Sequence, residues 1–277
     1  MKKMAFIGAG SMAEALISGI VENQIISSEN IWVTNRQDQD KLTELHNRYG
    51  VQTTYDLEEF FQGADIVFLA MKPKDATDGI SRIKEYLTKD MLVISVLAGV
   101  AIDSIERLAE KSLAVIRAMP NTSAAVGKSA TALALNDQVS EEQKKLGRKI
   151  FDTVGLTAIV KEEQLDAVTG LSGSGPAYIY YLAEAMERSA ADIGLEKDVA
   201  KGLIVQTLLG AAEMLSKSPK EPQQLRKEVT SPGGTTEAGI KVLDSYGVQN
   251  AFVDCIKEAT EQSKRLGKAF GAEMKVL

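Results

Sequence analysis

Ser231-Pro232-Gly233-Gly234-Thr235-Thr236 sets two hydroxyls around a proline–glycine turn, just ahead of a helix-patterned segment with Ile240, Val242 and Leu243 on its apolar side. A helix that starts at such a turn presents unpaired backbone N–H groups, and its dipole favours an anion. The run predicts that the amides of Gly234 and Thr235, flanked by the Ser231 and Thr236 hydroxyls, form a receptacle for a small carboxylate with a proton donor beside it. The same residue types also make an ordinary capped turn between helices, so the rest of the chain must supply a reason for a substrate to be there.

That reason is a nucleotide loop. The apolar run Met4–Ile7 leads into Gly8-Ala9-Gly10-Ser11-Met12-Ala13 and then a helical pattern. This is Gly-x-Gly-x-x-Ala after a strand and at a helix start, the setting in which it binds a dinucleotide. Gly8 permits the tight turn, Gly10 lets the backbone approach a pyrophosphate, and Ala13 allows close helix–strand packing. Ser11 and Met12 complete the loop.

The second strand ends in Thr34-Asn35-Arg36, where an NAD enzyme usually carries an acidic residue for the ribose 2′-hydroxyl. A carboxylate would repel a 2′-phosphate, whereas Arg36 can bind one, with Asn35 beside it. The cofactor indicated is NADPH, with NADH as a weaker alternative. Ligands sit outside the carboxyl ends of parallel strands. Ala70, Met71, Lys72 and Pro73 therefore line the cleft, and the run Arg117–Thr122, with Asn121, faces the same side.

What is missing narrows the chemistry. A carbonyl reductase usually needs a strong general acid, yet the chain has one histidine, His46, on a charged stretch that reads as surface. The one cysteine, Cys255, excludes an internal disulfide and a cysteine metal cluster. It is expected to be a small apolar residue, buried or half-buried. A protonated imine needs less help, because hydride addition to C=N⁺ neutralises charge, and the Thr236 hydroxyl would suffice as partner and proton relay.

These residues need elements to position them. Near-continuous apolar runs at Met4–Ile7, Ile31–Thr34, Ile66–Ala70, Leu92–Val96 and Leu113–Ala118 read as strands buried on both faces. Helical stretches separate them at Ala13–Glu22, Asp38–Arg48 and Asp103–Ala109, which implies a parallel sheet. Thr131–Leu135 and Leu156–Val160 add strands around a helix at Ser140–Val154. After Lys161 the β pattern stops, and helices follow from Pro176 to Gly194, Lys197–Ser216, Gln223–Val229, Thr235–Tyr246 and Gln249–Leu266. The fold class is α/β: a Rossmann-type nucleotide-binding domain over residues 1–161 and an all-helical substrate-binding and dimerisation domain over 162–277. Tyr178–Met186 and Leu203–Leu215 carry few charges on any face, which indicates burial all round. Either they pair subunits or they fill a compact bundle within one chain.

The bulk numbers suit a globular protein of two domains: 277 residues, 44% hydrophobic and 25% charged. A net charge of −6 with no basic stripe argues against nucleic acid. The run Met91–Val100 is far short of the roughly 20 residues that span a bilayer, and Met1-Lys2-Lys3 does not open a secretory signal. The expectation is a cytoplasmic protein with no membrane partner.

Taken in order, the Gly8–Ala13 loop, Met71-Lys72-Pro73, Arg117–Thr122, Leu171-Ser172-Gly173-Ser174-Gly175-Pro176-Ala177-Tyr178 and Ser231–Thr236 resemble the motifs of the pyrroline-5-carboxylate reductases along essentially the whole chain. The resemblance implies NADPH-dependent reduction of 1-pyrroline-5-carboxylate to L-proline. It also implies a homodimer that can assemble further, for example into a decamer. By position, Ser231, Gly234 and Thr235 would hold the substrate carboxylate and Thr236 would face the ring nitrogen. Ser174 and Gly175 would lie near nicotinamide and substrate. Two alternatives stay open: another NADP-linked imine or β-hydroxyacid dehydrogenase, and a paralogue that binds NADPH without turnover.

Overall fold

Strands β1 (Met4–Ile7), β2 (Ile31–Thr34), β3 (Gln52–Thr53), β4 (Ile66–Leu69), β5 (Leu92–Ser95), β6 (Ala114–Met119), β7 (Ser129–Leu135) and β8 (Gly155–Ile159) form a single sheet in the computed structural model, which describes residues 3–273. Their order is β3-β2-β1-β4-β5-β6-β7-β8. Neighbours run parallel except β6 and β7, which are antiparallel. The sequence pattern implied a parallel sheet throughout. The link between β6 and β7, residues 120–128, holds only a 3₁₀ turn, and a parallel crossover needs about a dozen residues or more.

Helices α1 (Ser11–Glu22), α2 (Gln39–Tyr49), α3 (Leu57–Phe61), α4 (Ala76–Ile83), α5 (Ile102–Ala109) and α6 (Glu141–Asp152) cover both faces. Met4 and Phe6 pack on one side with Leu16, Ile17, Leu45 and Phe151. Ala5 and Ile7, alternating with them, pack on the other with Phe60, Ile80, Val93 and Ile105. The period of two with both faces buried explains why these strands read as unbroken apolar runs. Phe6 and Phe68, paired in register across β1 and β4, stack at 4.0 Å between ring centroids.

Beyond the sheet come α7 (Leu165–Val168), a π-helical turn over Thr169–Gly173, α8 (Gly175–Asp192), α9 (Lys197–Lys217), α10 (Pro222–Glu228), α11 (Thr235–Ser245) and α12 (Val248–Glu273). The chain divides into two compact units, one that ends at Ser174 and resumes at Glu258, and a second over Gly175–Lys257. The division falls later than the loss of the β pattern at Lys161. Leu165 packs into the cluster of Ala132 and Ala134. The distal half of α12 returns to the same unit, where the Ser263 hydroxyl donates to Asp166 at 2.6 Å and Gly267 lies against Gly99.

The second unit buries little of its own apolar surface. In α8 only Ala190 is buried, and in α9 only Ala200 and Ile204. Tyr180, Tyr181, Leu203, Val205, Leu209 and Leu215 are exposed. A compact bundle within one chain is therefore not what forms. Cys255, expected to be at least half-buried, is exposed, because the first half of α12 belongs to this open helical layer. By length and composition α9 is also long and apolar enough to cross a membrane.

Helices α1 and α2 are joined by one carboxylate. Glu14 accepts from Lys41 Nζ at 2.8 Å, from Arg48 at 2.8 Å and from the Tyr49 hydroxyl at 3.2 Å. The Lys41 hydrogen bond, opposed in part by burial, holds the Glu14 carboxyl below the ordinary carboxylate range. The native state thus takes up this proton less readily than the unfolded chain. Its contribution to stability is complete above the unfolded pKa and is lost as pH falls through the folded one. Glu14→Gln should cost about 1–2 kcal/mol at pH 7 in urea unfolding, and the gap should close on acidification. Coincident urea midpoints at pH 7 would show the network to be energetically idle.

Candidate active site

The turn after β1 is fixed by contact with the turn after β4. Gly8 has φ +113°, and a Cβ there would stand 2.4 Å from the Ala70 carbonyl oxygen and 2.7 Å from the Met71 nitrogen. No side chain fits. Two hydrogen bonds complete the arrangement, from Gly8 N–H to the Thr34 carbonyl at 2.8 Å and from Ala70 N–H to the Ile7 carbonyl at 2.9 Å. Gly10 is the N-cap of α1 and makes no side-chain cap, and a Cβ on it would meet nothing within 4 Å. The amides that open α1, from Ser11 and Met12 onward, therefore border open space, as a pyrophosphate requires. Ala13 is fully buried against the sheet. The acid in this first turn, Glu14, is turned away and neutralised by Lys41 and Arg48.

From this turn a cleft of about 190 Å³ extends between the ends of β2 and β4, lined by Ile7, Gly8, Thr34, Asn35, Arg36, Leu57, Met71, Asp75, Asp78, Gly79, Arg82 and Ile83. Gly8, Asn35, Arg36 and Met71 of the sequence-derived set thus converge. Asn35 shapes the rim: its Nδ2 donates to the Asp38 carbonyl at 2.6 Å, and its Oδ1 accepts from Asp38 N–H at 2.8 Å and the Tyr55 hydroxyl at 3.1 Å. Arg36 is exposed at the mouth, 3.8 Å from Asp75. Lys72 and Pro73 follow on the exposed 3₁₀ turn and are not part of the lining. Sequence reading missed the α4 wall, although Pro73 followed by Ile80 and Ile83 is a helix-start signal with an apolar face.

Asn121 is not in the cleft wall. It is buried, its Oδ1 accepts from Ser123 N–H at 3.1 Å, and its Nδ2 donates to the Ser172 carbonyl at 3.0 Å. Pro176 explains the second bond. Lacking an N–H, it leaves the carbonyl four residues back without its helical partner, and Asn121 takes that place. Arg117, in the same run, pairs at 3.1 Å with Glu162, which also accepts the Ile102 N–H at the start of α5 at 2.8 Å. Ser174 ends the π-helical turn, its N–H donating to the Thr169 carbonyl at 2.8 Å, and Gly175 begins α8 with open space beside it. Single π turns recur at functional sites. His46 is exposed, its Nδ1 2.8 Å from the Val51 carbonyl oxygen.

In the second unit, Ser231–Gly234 form a turn with Gly233 at φ +73°. The Gly234 amide, expected to be free, donates to the Ser231 carbonyl at 3.0 Å. That bond closes the turn, so Gly234 cannot offer its N–H to an anion. Gly233 N–H is held by the Glu237 carboxylate at 2.7 Å. The N–H groups left at the start of α11 are those of Thr235, Thr236 and Glu237, and no side chain caps them. Ser231, Thr235 and Thr236 are all exposed.

Comparison with known proteins agrees along the whole chain. A family model described as pyrroline-5-carboxylate reductase dimerisation matches residues 162–266, and one described as NADP oxidoreductase, coenzyme F420-dependent, matches residues 3–99. Pyrroline-5-carboxylate reductase 2 of Bacillus subtilis is 48% identical over 98% of this chain and 97% of its own length. A pyrroline-5-carboxylate reductase structure from Coxiella burnetii shares 40% identity at a TM-score of 0.88, covering 96% of this chain and 98% of its own. A Plasmodium falciparum pyrroline carboxylate reductase, solved with NADP bound, shares 31% identity at a TM-score of 0.87 with the same coverage.

The Gly8 geometry sets a test of the loop. Gly8→Ala combines an unfavourable φ with a backbone clash, and should destabilise the protein by about 2 kcal/mol or more. Gly10→Ala, which points into open space, should leave the unfolding midpoint within about 0.5 kcal/mol while weakening NADPH binding measured by fluorescence. A Gly10→Ala protein that binds NADPH like the parent would remove the pyrophosphate from this loop.

Proposed function

The chain belongs to the pyrroline-5-carboxylate reductase family, and on that premise we propose that it reduces the C=N bond of 1-pyrroline-5-carboxylate with NADPH to give L-proline, the last step of proline biosynthesis. The observation that carries this reading is the exposed, uncapped start of α11 flanked by the Ser231 and Thr236 hydroxyls. It suits a small carboxylate whose own ring carries the reacting group.

The Gly8–Ala13 loop, with the Ser11 and Met12 amides, takes the pyrophosphate. Arg36 and Asn35 take the phosphorylated ribose, and Ala70 and Met71 border the path of the cofactor, with Lys72 and Pro73 on the exposed turn beyond. When bound, the nicotinamide supplies the hydride. Ser231 and the Thr235 N–H bind the substrate carboxylate. Gly234 acts by closing the turn, and Ser174 and Gly175 flank the ring. Hydride arrives at the carbon of the protonated imine, the C=N π electrons become the amine lone pair, and the Thr236 hydroxyl hydrogen-bonds that nitrogen and relays to it the solvent proton that makes the product ammonium. No strong acid is needed, because the iminium starts cationic and ends neutral.

The exposed apolar faces of α8, α9 and α11 support a homodimer or a larger ring such as a decamer, and we assign α9 to that contact rather than to a membrane. We take the enzyme to be cytoplasmic with a small-molecule substrate, and the acidic net charge of −6 argues against nucleic acid. Light scattering at micromolar concentration should give a dimer or larger particle, and Leu209→Asp should shrink it. A stable, well-folded wild-type monomer would end this assignment.

Kinetics test the chemistry. Thr236→Ala should lower kcat by roughly 10- to 1000-fold with little change in KM, and Thr236→Ser should keep most activity. Ser231→Ala should chiefly raise KM for 1-pyrroline-5-carboxylate, since the carboxylate is held equally in ground and transition states. Wild-type turnover by Thr236→Ala at saturating substrate would move the proton to water and reduce Thr236 to a helix-start residue.

A further inference from the structure

Arg36 already has a carboxylate beside it. Its guanidinium lies 3.8 Å from Oδ1 of Asp75, which lines the opposite wall of the same cleft. Asp75 ends the 3₁₀ turn after β4 and immediately precedes α4, where an aspartate would ordinarily cap the helix. It does not: its backbone, at φ −97° and ψ 4°, continues the turn, and its side chain accepts no bond from α4. The carboxylate is not committed to local structure, and its ionic partner is Arg36. Asp78 and Arg82, one turn apart on α4, add a second opposed pair to the lining. The cleft that would receive a phosphorylated ribose therefore carries no excess positive charge from these four side chains.

A dinucleotide fold that accepts NADH normally supplies an acid at the end of its second strand, and here that place holds Asn35 and Arg36. Asp75 brings a carboxylate to the same ribose region from the turn after β4. We propose that Asp75 is a specificity-determining residue: it is the acceptor for the ribose 2′-hydroxyl of NADH and the counterweight to Arg36, so that the cleft admits NADH and its preference for NADPH is held down. This rests on the reading of the cleft as the cofactor site. With NADPH the phosphate takes Arg36 and is repelled by Asp75. With NADH, Arg36 stays paired with Asp75, and the hydroxyl has an acceptor in place of an unpaired cation.

Fluorescence titration of the full-length protein with NADPH and with NADH, without substrate, measures this apart from turnover. Asp75→Asn should tighten NADPH by about 5- to 20-fold, the scale of one unit charge removed a few ångströms from a phosphate near the surface. It should weaken NADH by about 3- to 10-fold through loss of a charged acceptor. Asp75→Glu should restore most of the original ratio. The NADPH gain should shrink in 1 M NaCl, where screening acts within about 3 Å, and thermal unfolding should be unchanged because no cap is lost. Parallel shifts for the two cofactors, no shift, or a gain indifferent to salt would each overturn the proposal. Failure of the wild-type protein to bind either cofactor would instead refute the cleft assignment, and the proposal with it.

Discussion

The nucleotide half of the molecule depends on one close approach. Where β1 and β4 lie side by side, the chain leaving β1 must pass the chain leaving β4 with no room for a side chain, and Gly8 meets that condition with a left-handed backbone. From there α1 starts in a fixed direction with its first amides facing open space. Thr34–Arg36 on one side and Met71–Asp75 on the other become opposite walls of a cleft. The strand order reverses at this point, and that is where open α/β sheets bind their ligands. The chemistry of the walls varies with Arg36 and Asp75, but their separation is a consequence of the Gly8–Ala70 contact.

How far the sequence disclosed this depended on how much each element buries. Strands such as Ile66–Leu69 and Leu92–Ser95 are covered on both faces and stand out as apolar runs. Strand β3 has two half-buried residues, Gln52 and Thr53, at the sheet edge, and no periodicity can announce so short a piece. Helix α4 is only eight residues long and half polar, and with it went Asp75, Asp78 and Arg82 of the cleft. Arg36 was legible because it replaces an acid at a known distance from the glycines. Asp75 was not, since nothing in its neighbours says which way an uncapping aspartate turns. The Ser231–Thr236 turn shows the same limit on a smaller scale. Composition specified a turn at a helix start, but which amide closes it and which remains open is a matter of the Gly233 φ and one hydrogen bond.

The helical unit follows a different logic. In strands β1, β4 and β5 every residue finds its cover within the chain. In α8 and α9 the apolar residues outnumber the surfaces the chain can offer them, and Tyr181, Leu203 and Leu209 remain exposed. Exposed apolar area of this extent is characteristic of interaction surfaces. Amphipathic periodicity is weak in such helices because their apolar residues are not confined to the one face that the chain itself covers. Cys255 was misplaced for the same reason: a helical pattern reports that a residue has a buried side only if the cover comes from the same chain.

Motif residues that read as ligand contacts also include ones that build the walls. The proline of the Gly-Ser-Gly-Pro run removes an N–H and leaves the Ser172 carbonyl without a helical donor. Asn121, from the turn after β6, supplies the missing donor, and its side-chain Oδ1 caps the next 3₁₀ turn by accepting the Ser123 N–H. An unsatisfied buried carbonyl costs about 1–3 kcal/mol, so the two motifs are coupled through a single hydrogen bond rather than through a shared ligand. Ser172 belongs to the π-helical turn Thr169–Gly173, directly ahead of Ser174 and Gly175. The segment proposed to border the nicotinamide is thus tied to an asparagine some fifty residues earlier.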